Sequence, residues 1–149
     1  ACAGVRNVKS GTACATIRSV PIAALTAYAH VADVGRSVEF YRLLGLELQS
    51  SHESEGKLVW ALVARPGDGP DEAGARLMLA LASGPVDAGN QAVLFYCWTP
   101  DVEGLHDALA AAGVEVGDVT RPFYMPAGEF RAEDPDGYVL LVGQLDDAS

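Results

Sequence analysis

Hydrophobic and polar positions change their period along the chain, and the changes mark the elements. Thr26 to Val31 and Val93 to Thr99 are apolar-rich runs of strand length. Each leads within two residues to an aspartate, Asp33 or Asp101, and then to apolar residues spaced as on one helix face. Those residues are Val34, Val38, Tyr41 and Leu44 in the first helix, and Val102, Leu105, Leu109 and Ala112 in the second. The aspartates predict N-caps, because a carboxylate accepts from free first-turn amides and sits at the positive end of the helix dipole. Gly45 and Gly113 stand where left-handed C-terminal caps are wanted. Further strand-like runs follow at Leu46 to Ser50, Leu58 to Ala64 and Arg76 to Leu81, then at Val114 to Val116, Glu129 to Ala132 and Tyr138 to Val142. Arg65 to Gly74 is a loop of proline, glycine and acids, and Asp134-Pro135-Asp136-Gly137 is a turn in which proline presets φ and glycine accepts a positive one.

Sliding the chain against itself shows that this series occurs twice. An offset of 68 places Tyr28 on Tyr96, Asp33-Val34 on Asp101-Val102, and Gly45-Leu46-Glu47-Leu48 on Gly113-Val114-Glu115-Val116. The expected fold is α+β: two tandem βαβββ modules, residues 23–84 and 90–145, forming one domain behind a loose arm at residues 1–22. With one helix per module, each sheet buries one face and leaves the other to a different use. Two such sheets curved towards each other would enclose a cavity.

Composition narrows the classes. The 149 residues fit a single domain, and no apolar run approaches the roughly 20 residues a membrane-spanning helix needs. Three of the 10 basic residues and none of the 20 acids fall in residues 1–22, so that segment carries +3 and the rest −13. A body so acidic would repel a phosphate backbone, which argues against nucleic acid and favours a neutral or cationic small molecule. Cys2, Cys14 and Cys97 are odd in number and lack Cys-x-x-Cys spacing, so a disulfide framework and a zinc site are not expected and a reducing, cytoplasmic setting is.

The stretch Asp33-Val34-Gly35-Arg36-Ser37-Val38-Glu39-Phe40-Tyr41-Arg42-Leu43-Leu44-Gly45-Leu46 and the closing Asp134-Pro135-Asp136-Gly137-Tyr138, set in this repeat, resemble the vicinal oxygen chelate superfamily. That superfamily includes glyoxalase I, extradiol dioxygenases, fosfomycin-resistance enzymes and bleomycin-binding resistance proteins. The resemblance implies paired modules forming a half-open curved sheet barrel, a homodimer, and a metal held by His, Gln or Glu from four strands. Carried onto this chain, the four places fall at Thr26, Leu94, Met78 (or Ala80 in the neighbouring register) and Leu141. None offers an imidazole or carboxylate to a cation. The expectation is therefore no cofactor, no metal ligand and no catalytic residue, in the manner of the members that bind a drug without altering it. The alternative is a metal-dependent glyoxalase-like lyase or isomerase, or an extradiol dioxygenase, with ligands elsewhere.

Strand alternation puts Tyr28 and His30 on the face of Thr26, and Tyr96 and Trp98 on the face of Leu94. Two readings stand for these residues: packing between sheets, or a surface for a flat or cationic guest. The expected ligand-binding set is Thr26, Tyr28, His30, Met78, Leu94, Tyr96, Trp98 and Leu141. Cys97 is expected to pack under the second helix, His52 and His106 to be exposed, and Glu129 to be solvated unless it meets a cationic ligand. Trp60, Tyr124 and Phe130 have no assignable facing, and Tyr124-Met125 falls in a loop.

Overall fold

The computed structural model describes residue 22, residues 24–68 and residues 74–146. Of the arm expected over residues 1–22, all but the exposed Ile22 lies outside the described residues, as do residues 69–73 of the proline-glycine loop. The order is β1 (Ala27–Val31), α1 (Val34–Leu43), β2 (Glu47–Ser54), β3 (Lys57–Ala64) and β4 (Arg76–Leu81), a short 3-10 turn at Ala88–Asn90, then β5 (Phe95–Thr99), α2 (Val102–Ala111), β6 (Glu129–Glu133) and β7 (Val139–Gln144).

Both helices start and stop where local chemistry dictates. The Asp33 carboxylate accepts from the Arg36 amide at 2.9 Å and that of Asp101 from the Gly104 amide at 2.9 Å. Gly45 (φ 79°) and Gly113 (φ 85°) end the helices in the left-handed region, where a side chain would be strained. The helical stripes are core in α1, where Val34, Ser37, Val38, Phe40 and Tyr41 are buried, whereas α2 buries only Val102 and Leu109. Ala112, expected on the second stripe, is exposed because α2 ends at Ala111 and the chain turns away there.

The strands form two sheets, in the orders β1-β4-β3-β2 and β5-β7-β6, with β1–β4 and β5–β7 parallel and the other pairs antiparallel. The repeat is thus a repeat of topology as well as of sequence. β2 runs on to Ser54, further than the apolar run suggested, because a tight turn with Glu55 (φ 51°) and Gly56 (φ 74°) pairs it with β3 along its length. The expected strand at Val114 to Val116 is reduced to isolated bridges, Val116 to Ala132 and Thr120 to Glu129. Gly117 and Asp118, both poor strand formers, separate them.

One hydrophobic core spans both modules. Val31, Val34, Val63 and Leu79 from the first, and Val102, Leu109, Phe130, Leu140 and Val142 from the second, belong to the same buried cluster. A polar latch adds to it. The Asp134–Gly137 turn of the second module sits on the end of β1 and the start of α1: Asp136 Oδ1 accepts from the Ala32 amide at 2.9 Å and from Arg36 Nη2 at 3.3 Å, and Oδ2 from Ser37 Oγ at 3.4 Å. Asp134 Oδ2 accepts from Tyr41 Oη at 2.9 Å, and Tyr138 Oη donates to the His30 carbonyl at 2.8 Å. Burial pushes the Asp134 carboxyl above the usual aspartate range, with the Tyr138 amide and Tyr41 hydroxyl opposing, and burial beside Asp134 raises the Tyr41 phenol.

Candidate functional site

Alternation along β1 and β5 gives each sheet a buried and an open face. In β1, Ala29 and Val31 enter the core while Tyr28 and His30 are exposed; in β5, Thr99 is buried and Cys97 packs against the core while Tyr96 and Trp98 are exposed. The rings meet in pairs, Tyr28 with His30 at 5.4 Å between centroids and Tyr96 with Trp98 at 4.9 Å. Among the described residues no ring contact joins one pair to the other. Cross-strand register extends both faces. Tyr28 lies beside Met78 and then Leu62, and His30 beside Ala80 and then Trp60. On the second sheet Tyr96 lies beside Leu141 and then Arg131, and Trp98 beside Gly143 and then Glu129. Trp60 therefore shares the face of His30, while Phe130 is wholly core.

The eight expected residues divide accordingly. Tyr28, His30 and Met78 come together on the first sheet, and Tyr96, Trp98 and Leu141 on the second. Thr26, expected to open the first strand, and Leu94, expected inside the run from Val93, lie just before β1 and β5, Thr26 half-buried and Leu94 exposed.

Three expectations are corrected. Glu129 is buried rather than solvated: its Oε2 accepts from Tyr96 Oη at 2.8 Å and its Oε1 from Tyr124 Oη at 2.7 Å. Partial burial and the hydrogen bond to Glu129 push the Tyr96 phenol up to about 12, and the same acceptor raises that of Tyr124. His106 is not a free surface histidine: its Nδ1 is 3.1 Å from Asp107 Oδ1, its Nε2 is 3.1 Å from the Gly117 carbonyl, and its ring meets Phe130 edge-on. Thirdly, the aromatic residues stand on open sheet faces rather than inside a cavity of the single chain. Among the described residues, concavities of about 410 Å³ at Arg42 and Gly45 to Leu48 and of about 330 Å³ between Glu115 to Gly117 and Arg131 to Glu133 lie away from these rings.

Sequence reasoning missed the roles of Tyr124 and Gly143. An added Cβ on Gly143 would come within 2.8 Å of Tyr96 Oη and 3.2 Å of Met125 Cε, so the bare glycine lets Tyr96 lie across β7 towards Glu129. The available signal was the alternation Glu129, Arg131, Glu133 along β6, which puts Glu129 on the open face.

The residues at the four implied metal places do not fit a metal. A hydroxyl, two hydrocarbons and a thioether are poor donors for hard or borderline cations, and among the described residues no three His, Cys, Asp or Glu side chains cluster to hold one. Cys97 is free, and burial raises its thiol pKa, which makes it a poor nucleophile.

The family model described as the Glyoxalase/Bleomycin resistance protein/Dioxygenase superfamily matches residues 24–142. No curated protein sequence matches the chain. Among solved structures, TnmS3, an antibiotic binding protein from Streptomyces sp. CB03234, is similar with 22% identity over 86% of this chain and 98% of that one, at a TM-score of 0.64. A bleomycin-binding protein complexed with bleomycin is 15% identical over 82% of this chain and 98% of its own, at a TM-score of 0.62. The bleomycin-binding protein from bleomycin-producing Streptomyces verticillus, complexed with copper(II)-bleomycin, is 20% identical over 86% and 100%, at a TM-score of 0.62. At such identities the likeness is one of fold.

Proposed function

The chain belongs to the Glyoxalase/Bleomycin resistance protein/Dioxygenase superfamily, and from that premise we propose that it binds an aromatic or cationic small molecule without a metal and without transforming it, as a binding protein of the bleomycin-resistance type. The observation that carries the reading is the exposure of Tyr28, His30, Tyr96 and Trp98 on the open faces, Tyr28 at 53% and Trp98 at 56%. Large rings left in water are costly unless something covers them, and ring faces suit flat and cationic guests at about 0.5–2 kcal/mol per good contact. The solved bleomycin-binding and antibiotic-binding proteins of the same fold support it. Thr26, Leu94, Met78 and Leu141 weigh against the alternative of a metal-dependent lyase, isomerase or dioxygenase.

The open faces also favour a homodimer, in which a second copy would complete the walls that one chain leaves open. A fluorescence and calorimetric screen against aromatic and cationic drugs tests the main reading. Binding of at least one such compound, with quenching that disappears when Trp98→Phe leaves Trp60 as the remaining tryptophan, is expected. Silence across the screen together with turnover of a small substrate would overturn it.

A further inference from the structure

Glu129 is 6% exposed, and no cation pairs with it among the described residues. Arg131, two positions along the same face, is engaged with Glu133 at 2.8 Å. Among the described residues the side-chain donors to the Glu129 carboxylate are two neutral phenols, Tyr96 at 2.8 Å and Tyr124 at 2.7 Å. A phenol has a single proton to give. Both protons are committed to the carboxylate, so the two phenolic oxygens have only lone pairs left for a third partner. A buried negative charge behind a pair of obligate acceptors rejects carboxylates and phosphates and matches an N–H donor that is itself positive. Further rings adjoin the two tyrosines: Trp98 is 4.9 Å from Tyr96 between centroids, and the almost fully exposed Phe123 is 5.4 Å from Tyr124.

The first module offers nothing equivalent. In the register of the repeat, the place of Glu129 opposite Gly143 is taken by Trp60 opposite Ala80. The faces differ further along, where Leu62 and Ala64 stand in the places of Arg131 and Glu133, but those two charges pair with each other and Glu129 has no such cation beside it among the described residues. We propose that Glu129, Tyr96 and Tyr124 form the cation-recognising end of the ligand face and receive a protonated amine of the guest. This rests on the reading of the aromatic face as a ligand surface. It assigns the guest an organic ammonium, amidinium or guanidinium group and sets that group against the second sheet. Tyr96, whose phenol is held above its ordinary pKa, stays protonated at neutral pH and keeps its proton on the carboxylate.

Calorimetric titration of the full chain with two ring systems of equal outline, 9-aminoacridine (protonated at neutral pH) and acridine (neutral there), tests it. The cation is expected to bind about tenfold more tightly, the scale of one charge-assisted hydrogen bond. Glu129→Gln is expected to remove that preference while leaving acridine unchanged. Glu133→Gln, which alters net charge equally on the same strand, is expected to retain it. Equal affinities for the two probes in the native chain would overturn the assignment and leave the ligand-binding reading standing, and that comparison depends on no variant's folding. Equal losses in Glu129→Gln and Glu133→Gln would also overturn it, as a diffuse field rather than a site. Failure of both probes to bind the native chain would overturn the ligand-binding reading itself for this class of guest, and the assignment with it.

Discussion

Single residues decide whether the face is shaped for a guest. At Gly143 an alanine methyl would displace Tyr96 from Glu129 and press on Met125. Gly143→Ala is expected to lower stability by about 1–2 kcal/mol, the usual cost of crowding a packed site, and to abolish any preference for a cationic probe; urea unfolding and calorimetry read the two effects. Tyr41 and Asp134 answer a different question. Tyr41→Phe leaves a buried carboxylate oxygen without its donor and is expected to cost about 1–3 kcal/mol in urea unfolding. Asp134→Asn keeps one oxygen for the amides of Asp136 and Tyr138 and removes the buried charge. Because burial raises the Asp134 pKa in the fold, its protonated form is the better tolerated one. Any stabilisation it contributes is present at acid pH and lost as pH rises through the raised value. The gain of Asp134→Asn over the native chain should therefore be largest at neutral pH and shrink on acidification, which melting curves across that range would show. At this scale the N-caps and terminal glycines were legible, because each rests on groups within four residues. Glu129 was not, since its burial depends on Tyr96 reaching across β7 at Gly143 and on a tyrosine from a loop.

Among the elements, the two parallel pairs β1–β4 and β5–β7 carry the exposed rings, and their facing was readable because a strand's period of two leaves one choice once the core side is known. The strand expected at Val114 to Val116, second in the second module, was overread. Two valines flanking Glu115, followed by glycine and aspartate, leave only isolated bridges to β6 and no continuous ladder. The closing turn was read as a local feature, yet its work is long-range. Its Asp136 accepts from the Ala32 amide just before α1 and from the Arg36 side chain, about 100 residues away in sequence. Asp136→Ala removes acceptors for the Ala32 amide, Arg36 and Ser37 together, and is expected to cost about 2–4 kcal/mol in urea unfolding. A loss below about 0.5 kcal/mol would mean that the apolar core alone joins the modules.

For the molecule as a whole, duplication supplied two sheets with one shared core and two open faces, and divergence then made those faces unequal, one carrying Trp60 where the other carries Glu129. An acidic chain of net charge −10 reinforces a preference for cations at long range without choosing among them. The most direct test of metal-independent binding is titration of chelator-treated protein with 9-aminoacridine, alongside Trp98→Ala treated identically. Binding that survives removal of divalent ions and weakens about tenfold or more in the variant, as loss of a central aromatic anchor does, is the predicted result. Binding that appears only when a divalent ion is restored, or that is indifferent to the loss of Trp98, would contradict it.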